Sequence, residues 1–191
     1  MRQLKKIVFA IPFLLFACAP AYLKNYEPLK VFLEYEKIDT NKFYILQREK
    51  ISNIETLRIF NGDVGLSHIL SKDETNSLFN LKQWKKLYSD YSKDTINNKY
   101  WKNEDFPYYN FTLEDNKLLF SKAYEEKYPN NFVHNEIIYL SEPLYYWNKK
   151  YILFTYYKGF LYGGSSTKLI IMKKEKKKWI VIQRIGDYVF N

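Results

Sequence analysis

Tyr151-Ile152-Leu153-Phe154-Thr155-Tyr156-Tyr157-Lys158, Lys168-Leu169-Ile170-Ile171-Met172-Lys173 and Trp179-Ile180-Val181-Ile182-Gln183-Arg184 decide the fold. Each run is short, rich in β-branched and aromatic residues and bounded by turn residues, the pattern of a strand. The centres are apolar at consecutive positions (Ile152, Leu153 and Phe154; Leu169, Ile170 and Ile171; Ile180, Val181 and Ile182). A sheet of such strands is covered on both faces or curls over its own core. Asn148-Lys149, Gly163-Gly164-Ser165-Ser166 and the lysines from Lys174 onward supply the turns. Links this short join antiparallel neighbours, because a parallel crossover takes a dozen residues or more. Upstream, residues 135–140 read as one more strand, closed by Glu142-Pro143, and residues 188–190 as a short final one.

The N-terminal half reads differently. Pro28 suits the start of a helix, and Leu29, Phe32 and Leu33 follow at helical spacing, so a helix is expected to end near Lys37. Residues 42–48, with Phe43, Tyr44, Ile45 and Leu46, read as a strand. Residues 51–60 fit either element, and Asn61-Gly62-Asp63 closes them with a turn. Ser71 with Glu74 has the spacing of a capping box, and Asn80 with Gln83 offers a second helix start. Leu81, Trp84, Tyr88 and Tyr91 then form an apolar stripe. Asp94 suits the cap of a further helix through Ile96, Tyr100 and Trp101, broken at Phe106-Pro107. No period assigns residues 108–129. Helices first and strands last predict an α+β fold, N-terminal helices packed on a C-terminal antiparallel β-meander of about four to six strands.

The 191 residues include nineteen Tyr, fourteen Phe and four Trp, which excludes a disordered chain and suits one domain with a substantial core. One Cys and two His exclude a disulfide framework and a Cys/His zinc site, so neither a metal nor a cofactor is expected.

The first residues read as an address. Arg2, Lys5 and Lys6 precede ten uncharged residues, 7–16, which is too short for the roughly 20 that span a bilayer and matches a secretory signal peptide. Leu15-Phe16-Ala17-Cys18 resembles a bacterial lipobox, and the chain's one Cys stands where lipidation requires it. That resemblance implies cleavage between Ala17 and Cys18, a diacylglyceryl thioether on Cys18 and an acylated new amino terminus, palmitate being the usual acyl group. Two or three acyl chains make a stable anchor where one does not. Ala19 in place of Asp implies passage to the outer membrane, facing the periplasm. The expected organisation is residues 1–17 as signal peptide, 18–26 as lipidated Cys and tether, and 27–191 as a single α+β domain. An extended eight-residue tether spans at most about 28 Å.

Without the three cations ahead of Cys18 the net charge of +9 falls to +6, and Lys outnumbers Arg 26 to 4. Nucleic-acid readers lean on Arg, so no nucleic-acid partner is expected. Anionic headgroups or an acidic partner suit a tethered, Lys-rich domain better.

The C-terminal third is similar to small uncharacterised lipoproteins of Bacteroidetes of the flavobacterial type. The resemblance rests on Leu140-Ser141-Glu142-Pro143, the aromatic strand over residues 152–156, Gly163-Gly164, Leu169-Ile170-Ile171-Met172-Lys173-Lys174 and Trp179, with Tyr100-Trp101 and Phe106 upstream. It covers about half the chain and implies structure, with no activity or site residue to carry over. Members often carry a Cys pair near the Gly-rich turn; residues 160–166 have none, which removes a redox role there.

Candidate chemistry is sparse. His68 and His134 stand in no metal or nucleophile motif. Asp73-Glu74, Glu104-Asp105, Glu114-Asp115 and Glu125-Glu126 are sequence neighbours, whose side chains do not face one another on a helix or strand, so they read as solvated acids. Gly163 to Ser166 lacks the Lys of a phosphate loop and reads as a hairpin turn. Asp94-Thr95-Ile96 resembles an O-glycosylation acceptor of Bacteroidetes, on three residues only. Lys173, Lys174, Lys176, Lys177 and Lys178 crowd one hairpin tip, either as a soluble guard of strand edges or as a contact for an anionic surface. Core filling accounts for most aromatic pairs, Tyr108-Tyr109 and Tyr156-Tyr157 among them. Tyr145, Tyr146 and Trp147, taken as a loop after Pro143, are the candidate partner-binding residues. The reading is a non-enzymatic envelope lipoprotein presenting a sheet edge or aromatic loop to a protein or glycan. The alternatives are an immunity-type lipoprotein that neutralises a toxin and a small hydrolase of envelope polysaccharide.

Overall fold

The apolar runs at residues 152–154 and 169–171 find cover on both sides of one mixed sheet, whereas Ile180 and Ile182 of the third run are each 38 % exposed at its edge. The computed structural model describes residues 20–65, 77–93, 99–129, 135–161, 163–164 and 167–187. The lipobox at residues 15–18, His68, the 71–74 box, the 94–96 triplet, His134, Ser165, Ser166 and the expected strand at 188–190 lie outside them.

The strands are β1 (Tyr44–Gln47), β2 (Phe111–Glu114), β3 (Ile137–Leu140), β4 (Leu144–Tyr146), β5 (Tyr151–Phe160), β6 (Gly163–Gly164), β7 (Lys168–Glu175) and β8 (Lys178–Gly186). The helices are α1 (Glu27–Tyr35), α2 (Asn53–Phe60), α3 (Leu81–Tyr91), α4 (Asn116–Leu119) and α5 (Lys122–Lys127), with a 3₁₀ turn over Asn103–Asp105. The sheet runs β2-β1-β3-β5-β7-β8, and β4 and β6 also pair with β5. The fold is α+β with its strands concentrated in the C-terminal half.

The antiparallel part is the expected one, but the sheet does not end there. β1 is parallel to both β2 and β3, so the expected strand over residues 42–48 is interior, and its neighbours come from chain far downstream. The tip at the other edge is a two-residue hairpin, Glu175 opposite Lys178, with Lys176 (φ 44°) and Lys177 (φ 69°) both left-handed. That is the type I′ geometry, whose backbone twist matches the strands it joins.

Alternate strand residues face opposite layers. Ile152, Phe154, Ile170 and Met172 pack with Leu29, Phe32 and Leu33 of α1. Tyr151, Leu153, Leu169 and Ile171 pack with Leu57, Ile59 and Phe60 of α2 and with Leu87 and Tyr91 of α3. Ile45 and Ile137 pack with Leu119 of α4 and Tyr124 of α5. The period of two therefore delivers a three-layer arrangement.

Local chemistry sets the helix ends. Ser52 caps α2, its hydroxyl accepting from the Ile54 N–H at 3.2 Å, and Asn80 caps α3 by accepting from Gln83 at 3.1 Å. α1 closes in a Schellman motif: the Ile38 N–H donates to Leu33 and the Lys37 N–H to Glu34, each at 3.0 Å, with Lys37 left-handed at φ 56°.

Four expectations need correction. Tyr100 pairs in an isolated antiparallel bridge with Glu49 and Trp101 belongs to no helix, so the helix expected to run through them does not include them. On α3 the buried residues are Leu87 and Tyr91, with Trp84 half-buried; Leu81 and Tyr88 are 57 % and 45 % exposed. The helix meets α2 and β4, and that contact, not the stripe, selects the buried face. Of residues 145–147, Tyr145 and Tyr146 belong to β4 rather than to a loop, and Trp147 opens the turn that follows. β3 and β4 form one interrupted strand along β5: Leu140 pairs with Tyr156 and Leu144 with Leu153, so three residues face two. Ser141-Glu142-Pro143 is thus a one-residue β-bulge rather than a turn.

Candidate functional site

The bulge turns Glu142 into the protein. Its side chain and that of Lys50 are each 5 % exposed and form an ion pair. The Tyr26 hydroxyl donates to Glu142 Oε2 at 3.0 Å and accepts from Lys50 Nζ at 3.1 Å. The Lys50 ammonium also lies 4.0 Å from the centre of the Trp101 ring, whose Nε1 donates to the Leu140 carbonyl at 3.3 Å. Burial pushes the Glu142 carboxyl above its ordinary value even with Lys50 and Tyr26 beside it. Burial and the Glu142 charge likewise push the Tyr26 phenol far up. These groups come from positions 26, 50, 101 and 142, a grouping no local pattern announces. Leu140-Ser141-Glu142-Pro143 and Tyr100-Trp101 held the signal, as family-like steps without a role.

The charged group forms the back of a wall. Tyr26 packs edge-on against Trp101 (centroids 5.0 Å) and in parallel with Phe106 (6.3 Å). In front lies a half-open cleft of about 450 Å³ whose lining includes Tyr26, Glu27, Lys30, Glu104, Asp105 and Tyr108. Tyr108 is 62 % exposed, with the Lys30 ammonium 4.0 Å from its ring centre. Tyr109 stacks on Phe111 at 5.1 Å and 9°, and burial pushes its phenol up to about 12. Asp105 accepts from the Lys102 N–H at 2.9 Å and so is tied to its own turn. Glu104-Asp105 and Tyr108-Tyr109, read as solvated acids and core rings, thus share one cavity rim.

A second cleft, of about 390 Å³, holds the aromatic candidates; Pro20, Ala21, Tyr91, Tyr145, Trp147 and Lys149 are among its lining. Tyr146 is 1 % exposed and belongs to the core, Tyr145 is half-buried, and Trp147 is 40 % exposed. Trp147, Asn148 and Lys149 are all left-handed (φ 48°, 54° and 63°), an arrangement that costs L-residues roughly 1–2 kcal/mol each. The Tyr91 hydroxyl joins the cleft's two sides, donating to the Ala21 carbonyl at 2.7 Å and accepting from the Tyr145 N–H at 3.2 Å. Burial pushes that phenol up to about 12. Tyr22 packs on the Tyr91 ring at 5.5 Å, and Asn53 Nδ2 donates to its hydroxyl at 3.2 Å. The segment expected to be an extended tether is therefore fastened to the domain from Ala21 onward.

Of the tip lysines, Lys174, Lys176, Lys177 and Lys178 are exposed, whereas Lys173 is half-buried and paired with Glu175. Glu114 is buried, held by Lys127 at 2.6 Å and by Tyr128. Among the described residues no group of three His, Cys, Asp or Glu could hold a metal ion, and no helix is long and apolar enough to cross a membrane. No family model, curated protein or solved structure matches this chain.

Proposed function

We propose that this chain is a lipid-anchored, non-enzymatic binding module of the cell envelope, held on the periplasmic side of the outer membrane through Cys18, with a glycan as its ligand. The observation that carries the reading is the Tyr108 cleft. Its exposed ring offers a flat apolar face of the kind that stacks on a pyranose, and Glu27, Glu104 and Lys30 stand around it as partners for hydroxyl groups. The buried Lys50–Glu142–Tyr26 group gives the cleft a rigid back wall, so little ordering is needed on binding. Lys50 and Glu142 are committed to each other behind that wall, which leaves them a structural role.

Calorimetric titration with solubilised envelope polysaccharide tests the proposal. Saturable binding is expected, weakened roughly tenfold by Tyr108→Ala, the loss of about 1.4 kcal/mol of ring contact. Absence of binding, or equal binding by the variant, overturns it. Hydrolysis of the same polymer is the second reading, favoured by the carboxylates of Glu27, Glu104 and Asp105 in one cleft. A retaining or inverting pair needs carboxyl groups roughly 5–9.5 Å apart. Release of reducing ends that Glu104→Gln abolishes would put hydrolysis first.

A further inference from the structure

The sheet gathers at one end features that stand apart in the sequence. Tyr151 pairs with Lys173, and the Lys174 N–H donates to the Lys150 carbonyl at 3.2 Å, so the β4–β5 turn and the β7–β8 tip lie side by side. The turn contributes Trp147, Lys149 and Lys150; the tip contributes Lys174, Lys176, Lys177 and Lys178. None of these lysines is in an ion pair among the described residues; the nearby Lys173–Glu175 and Lys86–Asp90 pairs each cancel internally. The Trp147 indole is backed by the Tyr146 and Tyr151 rings at 6.0 and 6.3 Å, leaving its outer part in solvent. The chain enters the fold at the same place, because Pro20 and Ala21 line one cavity with Tyr145, Trp147 and Lys149. Pro20 is two residues past Cys18, at most about 7 Å of extended chain.

We propose that this end of the sheet, Trp147 with the lysines of the two hairpin turns, is a membrane-docking face that lies against the anionic headgroups of the bilayer holding Cys18. The proposal deepens the anchored reading above and rests on it. With Ala21 fastened by Tyr91, the anchor cannot hold the domain away at the reach of a free tether; the two turns are drawn down to the lipid surface. A Trp ringed by Lys is suited to that depth, its apolar body entering the interface while ammonium groups remain among the phosphates. Each lysine close to an anionic surface contributes about 1 kcal/mol, roughly fivefold in partitioning. The orientation is then fixed, and Trp147 contacts lipid rather than a soluble partner.

The test takes residues 18–191, which contain the whole described fold, and couples Cys18 to a maleimide lipid in vesicles of brominated phosphatidylcholine with phosphatidylglycerol. The anchor is thereby supplied chemically, independent of native acylation. Bromine quenching of tryptophan emission is expected, and in Trp147→Phe it should fall to what half-buried Trp84 contributes, because Trp101 and Trp179 are buried. In flotation of the uncoupled chain, Lys176→Asn/Lys177→Gly should bind anionic vesicles about 25-fold more weakly, two lysines at fivefold each. Asn-Gly is the preferred type I′ pair, so this variant keeps its turn. Equal quenching with and without Trp147 overturns the docking face. So does retention on an acidic polysaccharide with no quenching in vesicles, which would assign the lysines to a glycan. Mass spectrometry of the native protein reads the anchor separately: an unmodified Cys18 thiol defeats the lipoprotein reading, whatever the vesicles report.

Discussion

Replacing Lys50 by Met exposes the energetics of the wall behind the cleft. Both members of the Lys50–Glu142 pair are 5 % exposed, and the carboxylate is held by Lys50 and by Tyr26 at 3.0 Å. Removing one member of such a pair strands the other, a loss of about 3–5 kcal/mol. For a domain of this size that lowers Tm by roughly 6–20 °C. The loss depends on pH in a definite direction. Burial already raises the Glu142 carboxyl, and without Lys50 it rises further, so the folded form holds its proton at pH values where the unfolded form, near about 4.3, has released it. The stability of Lys50→Met therefore falls as pH rises through that window, and its deficit against the parent is smallest at the acid end. Neutralising the whole group as Lys50→Met/Glu142→Leu/Tyr26→Phe leaves no stranded charge or hydroxyl and should restore most of the loss. Urea unfolding at several pH values measures all three proteins. A Lys50→Met loss below about 1 kcal/mol, or a triple variant no more stable than the single one, would refute the assignment of a buried, mutually dependent pair.

Two further variants probe other features of the fold. Lys37→Gly relieves the left-handed residue that closes α1 and should raise stability by about 1 kcal/mol in urea unfolding, since the helix end needs φ 56° and no other contact of an exposed side chain. Burial works to raise the Glu136 carboxyl, but hydrogen bonds from Lys42 and Lys158 outweigh it and hold it below its ordinary value. Its contribution is complete above the unfolded value near about 4.3 and is lost as pH falls through the folded value, so Glu136→Gln should flatten the acid limb of the stability curve.

The parts legible in the sequence are those in which a residue's neighbours in the chain decide its conformation. Runs such as Ile152-Leu153-Phe154 and Leu169-Ile170-Ile171 permit little but a strand covered on both faces, and Asn80 with Gln83 states where α3 begins. β4 was hidden by its length of three residues and by Pro143, which signals a turn whether the chain turns or bulges. β2, α4 and α5 are likewise too short for a period to emerge. Lys42 to Arg48 shows as a strand, but nothing in it states that both its partners are parallel.

The candidate sites divide along the same line. Composition and spacing are local, so the basic tip, the aromatic turn and the single Cys are identifiable along the chain by themselves. Tertiary structure decided that the tip and the turn share one end of the sheet, that Ala21 is fastened beside them, and that Lys50 meets Glu142 across 92 residues of chain. The reason is physical. A strand's alternation specifies which face a side chain takes, whereas the identity of its partner depends on which non-local pairing buries the most apolar surface at once. That choice belongs to the whole chain, and no segment carries it alone.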